Sequence, residues 1–397
     1  MNTILQTDAP IAVKAAEKEF PFVSVIMPVF NEENFIERSI AAVWEQDYPH
    51  DKLEVIVADG MSSDHTREIV GFVRDHYQNV RLIDNPERIV STGLNRAIAN
   101  ARGEIIVRLD GHCEYPKDYV RRVVELRREL GADSVGGVLV PMGVSYIGKA
   151  IAAAYYSPVG LGSTALKASA ASERIREVDT VHGGCWRRER LLAVGGFDRE
   201  MVRNQDDELS FRLRKNSGKI FQTLAIPVKY HVRDCFKKLF LQFAQYGYWK
   251  VRVVRKHPQQ ANARHFAPAL FVLTIIALAI LAPFFNSALW GFIALLGVYL
   301  SILSIVSLIQ LIGLGRGRAR HSVRAEAANK EQLDFPSERR ARSDAPYHND
   351  SPIKLWPGIV VSLMTIHFGY GIGFILGCAR ACFGRLPTDR VFEKVTR

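Results

Sequence analysis

Cysteine is sparse and unpatterned in this 397-residue sequence: Cys113, Cys185, Cys235, Cys378 and Cys382 are odd in number and show no paired spacing. That argues against a disulfide framework and a structural zinc site, and fits a reducing compartment. There is no internal repeat. No G-x-G-x-x-G follows the first apolar run and no G-x-x-x-x-G-K-[ST] occurs anywhere, so dinucleotide and P-loop readings lose ground. No apolar run opens the chain, and residues 1–20 read as a polar, flexible lead rather than a signal peptide. Charge is absent from residues 266–285 ("FAPALFVLTIIALAILAPFF") and 288–314. Each approaches or exceeds the roughly 20 apolar residues that cross a bilayer as a helix. With only "NS" between them, the two predict a transmembrane hairpin over 266–314.

A third uncharged stretch, 355–379, is rich in glycine and interrupted by His367. It reads as a third span or as a re-entrant or interfacial element. The net charge of +11 is placed around these segments, crowding into 315–352 and the tail 380–397. Such flanking Lys and Arg mark the cytoplasmic side of a membrane rather than a nucleic-acid surface. The basic loop and, through the hairpin, the N-terminal domain are therefore expected inside. One crossing by the third stretch would leave the basic tail outside, against the same rule.

The rest reads as an α/β domain over 21–235. "FVSVIMPV" (22–29) is a continuous apolar run, as in a strand buried on both faces. Strands are predicted again at "LEVIVAD", "VRLID" and "EIIVRLD", with helical periodicity in the intervening segments and in "KDYVRRVVELRREL". Alternation of this kind implies parallel βαβ units with helices on both sheet faces. Ligands in such sheets bind at the carboxyl ends of the strands. Those ends supply Pro28 to Glu32, Asp59 to Asp64, Asn85 to Arg88, and Asp110 to His112.

Asp59 stands where an acid can accept hydrogen bonds from a ribose or base edge, whereas Ser63 and Asp64 are equally read as helix N-caps. A nucleotide site without a glycine cradle needs another counter-charge for its diphosphate. A divalent cation on oxygen ligands supplies one, and Asp110 and His112, separated by one glycine, are the candidate holders of Mn²⁺ or Mg²⁺. Farther on, Gly183-Gly184 permits close backbone approach by a substrate. Asp206, Asp207 and Glu208 open an amphipathic helix, either as acids favouring its N-terminus or with one of them as general base to a sugar hydroxyl. A segment at 236–262 mixes aromatics with Lys and Arg. It suits a membrane surface or, alternatively, a core-packing helix with a solvated basic face.

Taken in order, "VSVIMPVFNEENFI", "VIVADGMSSDHT", "GLNRAIANARGEIIVRLDGH", "GGCWRRERLLAVGGFD" and "QDDELSFRL" resemble the inverting, metal-dependent glycosyltransferases of family 2, which have the GT-A fold. The resemblance implies that Pro28, Glu32 and Asp59 line a uridine site. It places Asp110 and His112 at the ends of the family's D-x-D, and Asp206 at its catalytic base. His112 replaces the usual Asp and Gln205 the usual Glu, while His231 offers a further ligand to metal or diphosphate. Gln245 and Trp249 match a processivity motif in which Tyr248 stands at the Arg position, a departure that favours addition of one sugar. The bacterial succinoglycan-type exopolysaccharide glucosyltransferases are most similar. That likeness implies an enzyme of the inner membrane with its catalytic domain facing the cytoplasm. It would transfer glucose from UDP-glucose in β-1,3 linkage to a polyprenyl-diphosphate-linked oligosaccharide, beside other polysaccharide-assembly proteins. Rival readings are a polyprenyl-phosphate sugar transferase, a nucleotidyltransferase, which "PVFNEEN" disfavours for lack of Gly and Lys, and a silent UDP-sugar-binding scaffold.

Overall fold

A computed structural model describes residues 20–77, 79–111, 113–160, 175–331, 352–384 and 392. The first half follows the expected alternation: β1 (Val23–Val29), α1 (Ile36–Trp44), β2 (Leu53–Asp59), α2 (Thr66–His76), β3 (Val80–Asp84), α3 (Val90–Asn100), β4 (Ile105–Arg108) and α4 (Tyr119–Glu129). β1 pairs in parallel with β2 and β4, and β2 with β3. The strand order β3-β2-β1-β4 therefore reverses beside β1. Such a reversal opens a crevice at the strands' carboxyl ends.

The unbroken apolar runs follow from burial on both faces. Along β1, Val23, Val25, Met27 and Val29 enter one cluster and Ile26 the other, and β2 and β4 divide in the same way. Side chains alternate across a strand, so covering both faces requires apolar residues at every position.

Beyond β4 the sheet becomes mixed. β5 (Cys113–Glu114), β6 (Ser134–Met142), β7 (Ile175–Glu177), β8 (Gly184–Arg187) and β9 (Ile220–His231) complete nine strands in the order β3-β2-β1-β4-β8-β6-β9-β5, with β7 beside β9. β8 runs antiparallel to β4. α5 (Tyr146–Tyr155), α6 (Arg188–Ala193) and α7 (Gln205–Lys215) lie among them.

The C-terminal third contains α8 (Phe236–Lys256), α9 (Ala263–Leu281), α10 (Asn286–Glu331) and α11 (Trp356–Phe383). Segments Ala263–Leu281, Asn286–Ile312 and Ile353–Phe383 are each long and apolar enough to cross a membrane. The helix of the second segment runs past residue 314, through the first part of the stretch read as a basic loop.

Within 236–262, α8 packs an apolar face inward. Leu239, Phe243, Ala244, Tyr248, Trp249 and Val253 on α8 are buried. Three of its basic residues meet acids of the α/β domain, Lys250 with Asp207 at 2.5 Å, Lys256 with Asp198 at 2.6 Å, and Arg252 with Glu200, while Lys237, Lys238 and Arg255 are exposed.

α11 lies lengthwise on α8. Gly369, Gly373 and Gly377 are spaced by four, on one helix face. A Cβ added to them would stand 2.8 Å from the Phe240 carbonyl, 1.9 Å from that of Ala244 and 2.7 Å from that of Tyr248. Small residues let helix backbones approach this closely. The successive partners show that the two helices run in the same direction. The far end of α11 stays on α8, where Arg380 donates to the Tyr248 hydroxyl at 2.6 Å, and beyond it Trp249 Nε1 donates to the Phe392 carbonyl at 3.0 Å.

Gly373→Ala is expected to force α8 and α11 apart and cost about 1–3 kcal/mol, measured as a lower unfolding midpoint in detergent. Gly297→Ala, where a Cβ meets nothing within 4 Å, should leave the midpoint unchanged. Equal midpoints for the two variants would contradict the seating of α11.

Candidate active site

The strand ends beside the reversal open on one cavity of about 430 Å³. Pro28 and Glu32 line it from the end of β1, Ala58 and Gly60 from β2, Asn85 and Arg88 from the segment after β3, and Arg108 and Asp110 from β4. The opposite wall comes from Thr180 to His182 and from the start of α7, where Gln205, Asp206 and Asp207 all face in. Asn204 enters α7 in a left-handed conformation, φ 61°, one that Asn tolerates better than most residues.

Arg108 organises the floor of the cavity. The last residue of β4, it is only 4 % exposed. Nε and Nη2 donate to the two Asp110 oxygens at 2.8 and 3.1 Å, and Nη1 donates to Asp206 Oδ1 at 2.6 Å. Burial opposes its charge, but the adjoining Asp110 and Asp206 carboxylates hold the guanidinium protonated. His182 stands over the same group, with Nε2 3.1 Å from Asp110 Oδ2. Burial lowers the imidazole's pKa, while Asp110 and Cys113 raise it further, so that it lies well above the ordinary value.

The three consecutive acids of α7 separate by environment. Asp207 pairs with Lys250. Glu208 is fully buried, accepting from Arg212 Nε at 2.7 Å and lying 2.9 Å from His257 Nε2. Asp206 lines the cavity against Arg108. Its carboxyl lies above the usual range because burial outweighs the lowering by Arg108 and His182. A carboxylate in a cleft with its affinity for a proton raised is suited to general-base work.

The other expected positions divide. Asp59 is fully buried and lies at the end of β2, but its carboxylate accepts from the Ser62 hydroxyl at 2.5 Å and from Arg67 at 2.6 Å. The cavity at this strand end is lined by its neighbours Ala58 and Gly60. Gly183 and Gly184 have φ of +68° and +120°. A Cβ on Gly183 would lie 3.1 Å from the Arg108 carbonyl and one on Gly184 2.5 Å from the Trp186 ring. These glycines carry the chain tightly past the end of β4 and set His182 beside Asp110. His231 binds Glu114 at 2.7 Å. Gln245 accepts from Arg203 Nε at 3.0 Å, and Trp249 is buried against Phe392. None of these last three lines the cavity. His112 lies outside the described residues.

For a divalent cation, the cavity offers the hard carboxylate oxygens of Asp110. Among the described residues no three His, Cys, Asp or Glu side chains converge on one cation position. One protein carboxylate completed by phosphate oxygens is a normal set for Mg²⁺ or Mn²⁺ at a nucleotide site, so the donor chemistry fits.

Sequence reasoning missed Arg108, His182, Arg203 and Arg233. The signals were a lone arginine inside the apolar run "IIVRL" and a histidine immediately before Gly183-Gly184.

Comparison with known proteins follows this geometry. The sequence model described as Glycosyl transferase family 2 matches residues 24–146. The succinoglycan biosynthesis protein ExoA of Rhizobium meliloti (strain 1021) is 33% identical over 246 residues, 62% of this chain and 73% of that protein. A dolichyl N-acetyl-alpha-D-glucosaminyl phosphate 3-beta-D-2,3-diacetamido-2,3-dideoxy-beta-D-glucuronosyltransferase of Methanococcus voltae is 25% identical over 242 residues, 59% of this chain and 74% of that one. Among solved structures, the mannosyltransferase PcManGT from Pyrobaculum calidifontis, in complex with GDP-Man and Mn²⁺, aligns with a TM-score of 0.51 at 18% identity, covering 93% of this chain and 89% of that one. This likeness supports the GT-A fold.

Proposed function

Given that the chain belongs to glycosyltransferase family 2, we propose that it is an inverting, membrane-bound enzyme of exopolysaccharide synthesis. It moves one hexose, glucose from UDP-glucose in β-1,3 linkage, onto a polyprenyl-diphosphate-linked oligosaccharide. The observation that carries the reading is Asp206: of the three acids opening α7, it is the one that faces the cavity without a lysine or a buried structural role. The names of the Rhizobium and Methanococcus relatives, one a succinoglycan biosynthesis protein and one acting on a dolichyl-linked sugar, support the product class and a lipid-linked acceptor.

Asp206 takes the proton of the acceptor hydroxyl as that oxygen attacks the anomeric carbon. Arg108 holds Asp206 in place and keeps it ionised against the effect of burial. Pro28, Glu32 and Asp59 belong to the uridine end, Asp59 by holding Ser62 and Arg67. Asp110, with His112, holds the Mn²⁺ or Mg²⁺. Such a cation, when bound, neutralises charge on the departing UDP. Gln205, at the cavity wall, contacts the acceptor. Gln245, buried behind Arg203, supports that side. His231, bound to Glu114, and Trp249, packed on Phe392, keep structural roles in this reading.

α9 and the first part of α10 form the membrane hairpin, with the catalytic domain on the cytoplasmic face of the inner membrane. α11 is an interfacial helix. A helix seated along α8 from Phe240 to Tyr248, with Arg380 and Phe392 bound to Tyr248 and Trp249 of α8, is consistent with a basic tail on the inside. The charge rule is then obeyed.

Asp206→Asn should abolish sugar transfer to lipid while UDP affinity stays within about twofold of the parent; loss of UDP affinity in parallel would contradict its role as base. In the parent, transfer should decline with falling pH through a limb centred above the ordinary Asp value of about 3.9, because the base works deprotonated and its pKa is raised.

In right-side-out vesicles, a membrane-impermeant maleimide should leave the exposed Cys382 unlabelled, and it should label it in inverted ones. The reverse pattern would make α11 a crossing helix.

A further inference from the structure

A second cavity, of about 410 Å³, lies between the C-terminal part of α8 and the end of α11. Among the described residues, four cations line it, Arg252, Arg255, Lys256 and Arg380, against one acid, Glu200. Arg252 pairs with Glu200, and Lys256 meets Asp198 at 2.6 Å. Both of these cations are open to solvent, where an ion pair is worth little. Arg255 is exposed, and its Nη1 reaches across to the Ala381 carbonyl of α11 at 3.5 Å. Arg380 holds the opposite wall through the Tyr248 hydroxyl. None of these residues lines the cavity that contains Asp110 and Asp206.

The level of this basic pocket relative to the membrane follows from the way α11 crosses the apolar hairpin. Phe374 and Phe368 of α11 meet Phe266 and Phe271 of α9 edge-on, with ring centroids 5.3 and 5.9 Å apart. Nearer the start of α11, His367 Nδ1 lies 3.0 Å from the Tyr299 hydroxyl, and Trp356 Nε1 donates to the Ser304 carbonyl of α10 at 3.3 Å. α11 thus passes across the base of both helices. Beyond it the hairpin exposes Ile276, Ile280, Phe284, Leu289 and Trp290, the surface suited to lipid. The pocket sits at the far end of α11, where α8 passes through Pro258–Gln260 into α9. Charge gives way to apolar surface at this junction, as it does at the headgroup level of a bilayer. Phe383, the last residue of α11, is also exposed, an apolar neighbour for an acyl chain.

The geometry points to a binding site for an anionic phospholipid, with Arg255 and Lys256 on its phosphate, Arg252 beside them, and its acyl chains along α9 and the end of α11. Guanidinium and ammonium donors suit phosphate oxygens. Basic pockets between membrane helices hold anionic headgroups in the same way, and the excess of cations over acids selects a headgroup with net negative charge. The inference depends on the membrane placement proposed above and not on the sugar that is transferred.

The test uses the full chain in a neutral detergent, titrated with dioctanoyl phosphatidylglycerol, dioctanoyl phosphatidylcholine and glycerol phosphate, with bound ligand counted by native mass spectrometry. Phosphatidylglycerol should bind about tenfold more tightly than phosphatidylcholine, and glycerol phosphate, which has no acyl chains, much more weakly. Arg255→Gln and Lys256→Gln should each weaken phosphatidylglycerol about fivefold, and Arg255→Lys should stay near the parent. Lys237→Gln removes an exposed cation from the opposite end of α8 and should leave the affinity unchanged, as should saturating UDP. Equal losses in Lys237→Gln and Arg255→Gln would reduce the effect to diffuse surface charge and overturn the inference. Equal affinities for the two phospholipids would overturn it as well. Glycerol phosphate binding as tightly as phosphatidylglycerol would make the pocket a site for a soluble anion and sink the lipid assignment. A parent that binds phosphatidylglycerol in the expected pattern but transfers no sugar would contradict the proposed activity and leave the lipid site standing.

Discussion

A single buried guanidinium joins the two halves of the catalytic domain. Arg108 ends β4, the strand beside the reversal in the sheet, and reaches both Asp110 and Asp206, residues that lie 98 positions apart from Arg108 in the second case. Removing one partner of a buried ion pair typically costs about 3–5 kcal/mol, because the other is left uncompensated. Here the constraint also has a chemical consequence. It fixes two carboxylates, from the end of β4 and the start of α7, on a common cavity, and their shared cation favours ionisation of both in a poorly solvated place. His182, set by the positive-φ glycines that follow it, stands 3.1 Å from Asp110. The two acids are thereby given different surroundings and can take different roles.

The membrane elements are built around the same centre. α8 runs beneath the cavity, contributing Gln242 and Tyr246 to its wall, and its buried Gln245 steadies Arg203. Its outer face receives α11 through backbone contacts that only glycine permits. The cavity and the apolar helices are therefore two sides of one packed unit.

Much of this was legible in the sequence, for identifiable reasons. β1 to β4 were readable because burial on both faces demands unbroken apolar runs, and the first four strand ends could be mapped onto one rim from topology alone. Pro28, Glu32, Asp110, Gln205 and Asp206 accordingly meet in one cavity. The contacts that refine the picture join distant segments, and periodicity carries no trace of them. Asp59 is legible as an acid at a strand end, but its contacts with Ser62 and with Arg67, at 2.6 Å, are not. The basic residues of α8 are legible, but Asp207, Glu200 and Asp198 opposite Lys250, Arg252 and Lys256 are not. Nothing in the sequence pairs Arg108 with Asp206, 98 positions away. Hydropathy marks Ile353–Phe383 as long and apolar enough to cross a membrane but carries no trace of the seat of α11 on α8, because a helix packed on protein through glycines has the same composition as one packed in lipid.

The central claim is a single in-line displacement at the anomeric carbon, with Asp206 as the base. The most direct measurement is the anomeric configuration of the newly formed linkage, from the one-bond carbon–proton coupling of the product made with α-configured UDP-glucose. The account predicts a β-linked product. An α-linked product would contradict it, since retention requires a second displacement or a different reaction course.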